Sequence, residues 1–304
     1  MRHHQSSGAL VSGSAVPALA SVLAIELPFD PNITTIGGFL LTWHGLFTAV
    51  GILVGVRLSL WISREIGFDV DDAYTLALIG IPSGIIGARA LFVIEHWDYY
   101  GQNVADIMAL TEGGISIWGA VLGGVVGPLA FATWRGWDIW RGLDAASVGL
   151  IAGMGIGRIG DLINGEHLAK ATDLPWGVIY THPDSPAFAH SIAVGAHHPA
   201  TTYEMLGDFA ILALAIYLVL GPLRTWSGLT FFIYLDTYAV MRYFVSMLRV
   251  DSADTFFFNV SVPQLVSLAV IAVTIPPIVY LLRRGRVVEP EPPLPPGRMK
   301  VRQA

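Results

Sequence analysis

The chain has 304 residues, of which 54% are hydrophobic and 13% charged, with a formal net charge of −6. Soluble domains carry about twice that charged share; the composition is that of a polytopic membrane protein, and its few scattered basic residues leave no nucleic-acid signature. Cysteine is absent, which excludes disulfides, thiolate metal sites and a cysteine acyl-enzyme, so any thiol in a reaction must belong to a substrate.

Residues 1–38 run through small and apolar residues to the helix-breaking Pro28–Pro31 and are expected to form a surface segment. Ala9 to Leu27 matches a cleaved signal peptide poorly, because its start is weakly charged and Gly and Pro interrupt it. Seven stretches then reach the ~20 residues a helix needs to cross a bilayer. They lie at approximately 39–62, 73–94, 115–133, 145–163, 202–221, 228–248 and 262–282. The expected fold class is therefore all-α, with about seven transmembrane helices in a domain over 39–284. The segment at about 164–201 is long enough for a small outer cap, and 285–304, with its EPEPPLPP run, reads as a disordered tail.

Loop charge sets the orientation. With the N-terminus outside, the inner loops hold Arg57, Arg64, Arg135, Arg141 and Arg224, and the tail adds Arg283, Arg284, Arg286, Arg298, Lys300 and Arg302. The outer side then carries only Arg2, Lys170 and Arg249, which favours a cytoplasmic C-terminus. Glycines recur at helix-packing spacing: Gly80/Gly84, Gly119/Gly123/Gly127 and Gly149/Gly153/Gly157. Gly157 and Gly160 flank Arg158 and are expected to leave room for a headgroup.

Three arginines, Arg89, Arg158 and Arg242, sit inside these apolar runs, where a charge is costly and functional by default. Arg158 opens the run GRIGDLINGEH, which crowds Asp161, Asn164 and Glu166 where a helix ends. Arg158 and Asp161 share a helix face and can form an ion pair; a pair that only neutralised itself would not need Asn164 and Glu166 beside it. Cations at the edge of an apolar bundle suit an anionic lipid headgroup. Tyr238 and Arg242 also share a face, either to hold the same anion or as an interfacial tyrosine beside an anchored arginine. Glu204 and Asp208 read as partners for either arginine or as structural counter-ions, and Asp236 has no evident partner. His44, inside a span, is a candidate base or positioning group against the simpler reading of a packed ring. His198 reads equally as a helix start or a ligand. His167, His182, His190 and His197 match no common metal spacing, so no metal and no cofactor are expected.

The run from Gly157 resembles the G-R-x-G-N-x-x-N-x-E-x-x-G signature of the prolipoprotein diacylglyceryl transferases. Gly157, Arg158, Gly160, Asn164 and Glu166 match; Asp161 stands for an asparagine and Ala169 for the final glycine. Gly87-Ala88-Arg89 resembles the family's G-(G/A)-R, and Gly113 to Gly119 its G-G-x-x-x-H-G, with Trp118 in place of histidine. His198 to Glu204, including Tyr203, resembles H-P-S-Q-L-Y-E with Thr201 departing, and Tyr238 with Arg242 matches Y-x-x-x-R. Trp43-His44-Gly45 lies where W-Y-G is usual. The resemblance runs from about Trp43 to Arg284.

It implies transfer of the diacylglyceryl group of phosphatidylglycerol to the lipobox cysteine of preprolipoprotein signal peptides, in a bacterial inner membrane, with glycerol phosphate departing. Arginine's planar fork suits a phosphate leaving group, so Arg158 is expected to hold the headgroup and Arg242 and Tyr238 to act on the same phosphate. Arg89, Asp161, Asn164, His198, Tyr203 and Glu204 are expected to be substrate-binding and Glu166 catalytic; His44, which stands where the family has tyrosine, is expected to be catalytic by taking over base or positioning duty. The alternatives are a lipid-binding or divergent paralogue with another acceptor and, more weakly, a transporter. The latter is disfavoured because the charges collect at one end of the bundle and no inverted repeat is visible.

Overall fold

The register of glycines along the helices decides how this bundle closes. A computed structural model describes residues 24–37, 39–109, 113–251, 255–257 and 260–285. The expectations for most of the N-terminal segment and for the proline-rich tail lie outside the described residues.

In chain order, the fold starts with three short strands, β1 (Ile25–Leu27), β2 (Asn32–Ile36) and β3 (Phe39–Thr42). Next come the helices α1 (Trp43–Ile66), α2 (Val70–Glu95), the single-turn α3 (Trp97–Tyr100), a 3-10 turn (Val104–Met108), α4 (Ile117–Arg135) and α5 (Ile139–Asn164). Strand β4 (Val178–Tyr180) and the short α6 (Phe188–Val194) fill the connection to α7 (Ala200–Leu220) and α8 (Leu229–Ser246). A two-strand pair, β5 (Thr255–Phe257) and β6 (Val260–Ser261), leads into α9 (Val262–Arg284).

The architecture is therefore largely helical. Among the described residues, six helices are long and apolar enough to cross a membrane: α1, α2, α4, α5, α7 and α9. The seventh long helix, α8, carries Asp236 and Arg242 within its 18 residues. Large apolar side chains point outward along the long helices, among them Leu53, Ile86, Val126, Leu206 and Val273. A face of that kind belongs in lipid, as in a multi-pass membrane protein.

Local signals set the helix ends. The Thr42 hydroxyl accepts from Gly45 N at 3.1 Å and starts α1, which stops at Gly67 with φ 74°. Asp69 accepts from the amides of Asp71 and Asp72 and starts α2 three residues ahead of the apolar stretch at 73–94. Helix α5 begins six residues before the expected 145, because Asp138 caps Arg141 N and adds a polar turn. Hydropathy sees only the part of a helix that faces lipid.

Helices α1 and α5 form the most extensive contact and run antiparallel. Gly51 lies against Gly153, Gly55 against Gly149, and the His44 backbone against Gly160. At the other end, Arg141 donates to the Ile66 carbonyl at 3.0 Å and Arg224 to the Glu65 carbonyl at 2.8 Å. The charged cluster at the end of α5 thus sits at the opposite end of α1 from Arg141 and Arg224. Helices α2 and α4 pair in the same way through Gly87, Gly119 and Gly123. Close backbone approach of this kind is what holds helices together in lipid.

Two acids, the buried Asp144 and the half-buried Asp236, tie further helices. Asp144 on α5 accepts from the amides of Gly228, at 2.6 Å, and Phe231, at 2.9 Å. It caps the start of α8 from a neighbouring helix. Asp236, unassigned from sequence, hydrogen-bonds the Thr274 hydroxyl and joins α8 to α9. Strand β1 pairs in parallel with β4, linking the chain ahead of α1 to the segment between α5 and α7.

The glycine register is testable. A Cβ at Gly149 would lie 2.2 Å from the Gly55 carbonyl oxygen, whereas one at Gly157 meets nothing within 4 Å. Gly149→Ala is expected to cost about 1–3 kcal/mol by overpacking. Gly157→Ala is expected to leave the thermal unfolding midpoint in detergent unchanged.

Candidate functional site

Glu204, on the first turns of α7, is only 1% exposed. A buried carboxylate needs a matched partner, and three arginines supply one. Arg158 Nη2 lies 2.8 Å from Glu204 Oε2, an ion contact without hydrogen-bond alignment. Arg242 Nη1 donates to Oε1, and Arg249 Nη1 reaches the same oxygen at 3.2 Å. The cations come from the end of α5, from α8 and from the turn beyond α8. One carboxylate therefore gathers three chain segments.

A second tier surrounds this centre. Asp161, one turn after Arg158, takes Arg158 Nη1 on Oδ2 at 3.0 Å and His44 Nδ1 on Oδ1 at 2.5 Å. His167 lies between two arginines, with Nε2 3.0 Å from Arg158 and Nδ1 2.9 Å from Arg249. Asp251 completes the group with a two-pronged pair to Arg249 at 3.0 and 2.6 Å. Burial works against the Asp251 carboxylate, but the hydrogen bonds from His167 and Arg249 outweigh it and hold its pKa below the usual range.

Of the residues singled out from sequence, His44, Arg158, Asp161, Glu204 and Arg242 come together in this one network. Tyr238 lies close enough to Arg158 to feel its charge, from the helix that carries Arg242. Asn164 Nδ2 donates to Glu166 Oε1 at 3.0 Å, while Asn164 Oδ1 is buried without a protein partner. Ser185 Oγ holds the Asn164 carbonyl at 2.8 Å, and Gly165, with φ 79°, turns the chain there. That turn sends Glu166 and His167 back over the end of α5.

Others stand apart. Arg89 donates to the backbone carbonyls of Asp106, Ile107, Ala109, Gly113 and Gly114, so its guanidinium closes the loop after α2. It shares no partner with Arg158. Tyr203 accepts from Trp176 Nε1 at 2.8 Å and lies 3.4 Å from His198 Nδ1, which forms a pair of its own. Asp208 is fully buried on α7, yet neither of its oxygens has a hydrogen-bond partner, so Glu204 alone of the two acids serves the arginines. The room expected beside Arg158 is half taken. A Cβ at Gly160 would lie 2.7 Å from His44 Cα, whereas the space beside Gly157 is open.

Sequence reasoning left Arg249, His167 and Asp251 out of the site. Arg249 follows Arg242 by seven residues, two helical turns, which is a usable signal for a shared face. What brings it inward is a backbone pairing: Lys170 N donates to Leu248 O at 2.8 Å and Val250 N to Leu168 O at 3.0 Å. Ala169, between those bonds, is fully buried against Ala200 and Val245. Away from the cluster, Asp30, His182 and Asp184 bring three ligand atoms within 4.8 Å at the exits of β1 and β4, with both acids exposed.

The arrangement is a fixed set of guanidinium donors at the mouth of an apolar bundle, suited to an anionic oxygen cluster. Residues 31–280 match the family described as prolipoprotein diacylglyceryl transferase. A phosphatidylglycerol–prolipoprotein diacylglyceryl transferase of Dehalococcoides mccartyi is 31% identical over 262 residues, covering 86% of this chain and 97% of the relative. Proteins of the same name from Nostoc sp. and Synechocystis sp. are 31% and 33% identical, covering 87% and 73% of this chain and 95% and 79% of theirs.

Two measurements probe the cluster. Glu204→Gln leaves three cations facing each other and is expected to destabilise by about 3–5 kcal/mol; the partly exposed Glu166→Gln should cost far less in the same detergent unfolding assay. Because the folded pKa of Asp251 lies below its unfolded value of about 3.9, its contribution is present above that pH and is lost as pH falls through the folded value. Asp251→Asn is accordingly expected to lower stability at neutral pH and to flatten its decline in acid.

Proposed function

The chain belongs to the prolipoprotein diacylglyceryl transferase family, and we propose that it moves the diacylglyceryl group of phosphatidylglycerol onto the lipobox cysteine of a preprolipoprotein. Family membership carries the coarser statement, a diacylglyceryl-transfer reaction on lipoprotein precursors. The finer one, with phosphatidylglycerol as donor, thioether formation and glycerol phosphate as leaving group, follows the family resemblance, and the convergence of Arg158, Arg242 and Arg249 on Glu204 supports its phosphate part.

The reaction transfers carbon from oxygen to sulfur. Negative charge grows on the departing phosphate oxygen, and fixed donors in a dry site stabilise such charge best. Arg158 and Arg242 are the assigned phosphate ligands. Among the described residues, Arg242 is held through Nη1, which leaves its remaining nitrogens for a phosphate oxygen. Tyr238, whose helix also carries Arg242, is assigned to the same phosphate, near Arg158. Asn164 and Glu166 are assigned to the glycerol hydroxyls, with the unpartnered Asn164 Oδ1 as an acceptor. Arg89 serves by fixing the loop ahead of α4, and His198 with Tyr203 by shaping the segment next to α7.

We also place the N-terminus outside a bacterial inner membrane and the C-terminus in the cytoplasm. Supporting this, Arg141 and Arg224 lie at the end of α1 opposite the arginine cluster. The segment 164–201 then caps the outer end.

Purified protein mixed with labelled phosphatidylglycerol and a lipobox peptide is expected to yield the thioether and free glycerol phosphate. Protein that binds the lipid but makes no thioether would instead be a lipid-binding or divergent paralogue. Arg158→Ala is expected to cut turnover by at least about 10²–10³-fold, the effect of removing one transition-state donor. Activity retained in that variant would remove Arg158 from its assigned role.

A further inference from the structure

A thiol attacks carbon as its thiolate, so the acceptor's sulfur must lose a proton near the arginine cluster. We propose that His44, oriented by Asp161, is the base that receives it. This rests on the transferase reading above and adds a catalytic residue to it.

The geometry is that of a base with an orienting acid. His44 Nδ1 lies 2.5 Å from Asp161 Oδ1, and the two side chains are 49% and 9% exposed. A neutral imidazole hydrogen-bonded to a carboxylate through Nδ1 carries its proton there, and the Nε2 lone pair is left outward. Among the described residues, no hydrogen bond to His44 Nε2 is formed. The ring's position is fixed from behind, because Gly160 of α5 packs on the His44 backbone, where any larger residue would collide.

The other histidine of the cluster is committed. Both nitrogens of His167 are engaged, by Arg158 on one side and by Arg249 and Asp251 on the other. His197 is buried, and His190 Nε2 bonds the Ala169 carbonyl at 2.7 Å. Trp118, half exposed on the first turn of α4, offers no basic atom. Among the histidines bonded into this arginine cluster, His44 is thus the one with a ring nitrogen that makes no hydrogen bond, and the charged groups facing it are Asp161, Glu166 and Arg158. Asp161 also holds Arg158, at 3.0 Å, so one carboxylate positions both the base and a phosphate-binding cation.

The step balances without any added reagent. The sulfur proton passes to His44 Nε2, and the sulfur lone pair forms the C–S bond to the glyceryl carbon. The C–O bond to phosphate breaks, its electron pair leaves on the phosphate oxygen among the arginines, and the imidazolium returns its proton to water.

The test compares the full-length enzyme with His44→Gln on two lipobox peptides, one with cysteine and one with selenocysteine, whose selenol is already ionised at neutral pH. Binding of phosphatidylglycerol by the variant serves as the folding control, and His44→Asn replaces His44→Gln if that binding is lost. With cysteine, kcat/KM is expected to fall by about 10²–10⁴-fold, and the rise of rate with pH on the acid side should disappear. With selenocysteine the deficit should shrink by at least about tenfold. Equal losses on both peptides would make His44 a structural residue and overturn the proposal, as would an acid limb that persists in the variant. If the wild-type enzyme forms no product with either peptide, the transferase reading itself falls, and the assignment of His44 falls with it.

Discussion

The site depends on a carboxylate that has no access to water. Glu204 is nearly fully buried, and its charge is tolerable only because Arg158, Arg242 and Arg249 close on it. The dependence is mutual, since three guanidinium groups at such short range repel without an anion among them. Because the cations arise from α5, α8 and the turn after α8, their shared anchor on α7 is also what fixes those segments relative to one another. Packing in lipid offers no hydrophobic gain between helices, so a charged anchor of this kind has structural as well as chemical consequences.

Helix α5 carries both demands along its length. Its middle packs on α1 through Gly149 and Gly153, and Asp144 near its start caps α8. Its last turns hold Arg158, Asp161 and Asn164. The same small-residue register continues to Gly160, where it seats the His44 backbone instead of a second glycine. A packing rule thereby places a side chain with chemistry, and the site inherits its precision from the rigid part of the bundle.

The helices were legible because an apolar run long enough to span a bilayer must satisfy its own backbone, and in lipid a helix does so. The misjudged ends fell where polar caps extend a helix beyond its apolar part. Asp138 before α5 and Asp69 before α2 are of that kind. Within the site, Arg158, Asp161, Glu204 and Arg242 announced themselves as charges in apolar sequence. Arg249, His167 and Asp251 did not, since charged residues outside a span look ordinary. Only the pairing of residues 168–170 with 248–250 makes them neighbours, and that contact spans about eighty residues of chain. Arg89 is the converse case. It is as costly in sequence as Arg158, yet its cost is met by backbone carbonyls of its own loop.

The cluster's charge count bears on how an anion enters it. Arg158, Arg242 and Arg249 are matched by Glu204, Asp161 and Asp251, so the site is close to neutral before any lipid arrives. A bare set of three cations at the edge of a bilayer would bind any phosphate strongly and release it slowly. On the function proposed above, a compensated set would bind by exchange, phosphate oxygens replacing carboxylate contacts already in place. Each donor is thus oriented in advance, and its desolvation cost falls mainly on folding, not on lipid binding. Glu204 and Asp161 are too deeply buried to leave, whereas Asp251 lies nearer the surface. On the function proposed above, the exchange falls on the more exposed Asp251, while Glu204 and Asp161 keep Arg158 and His44 in place.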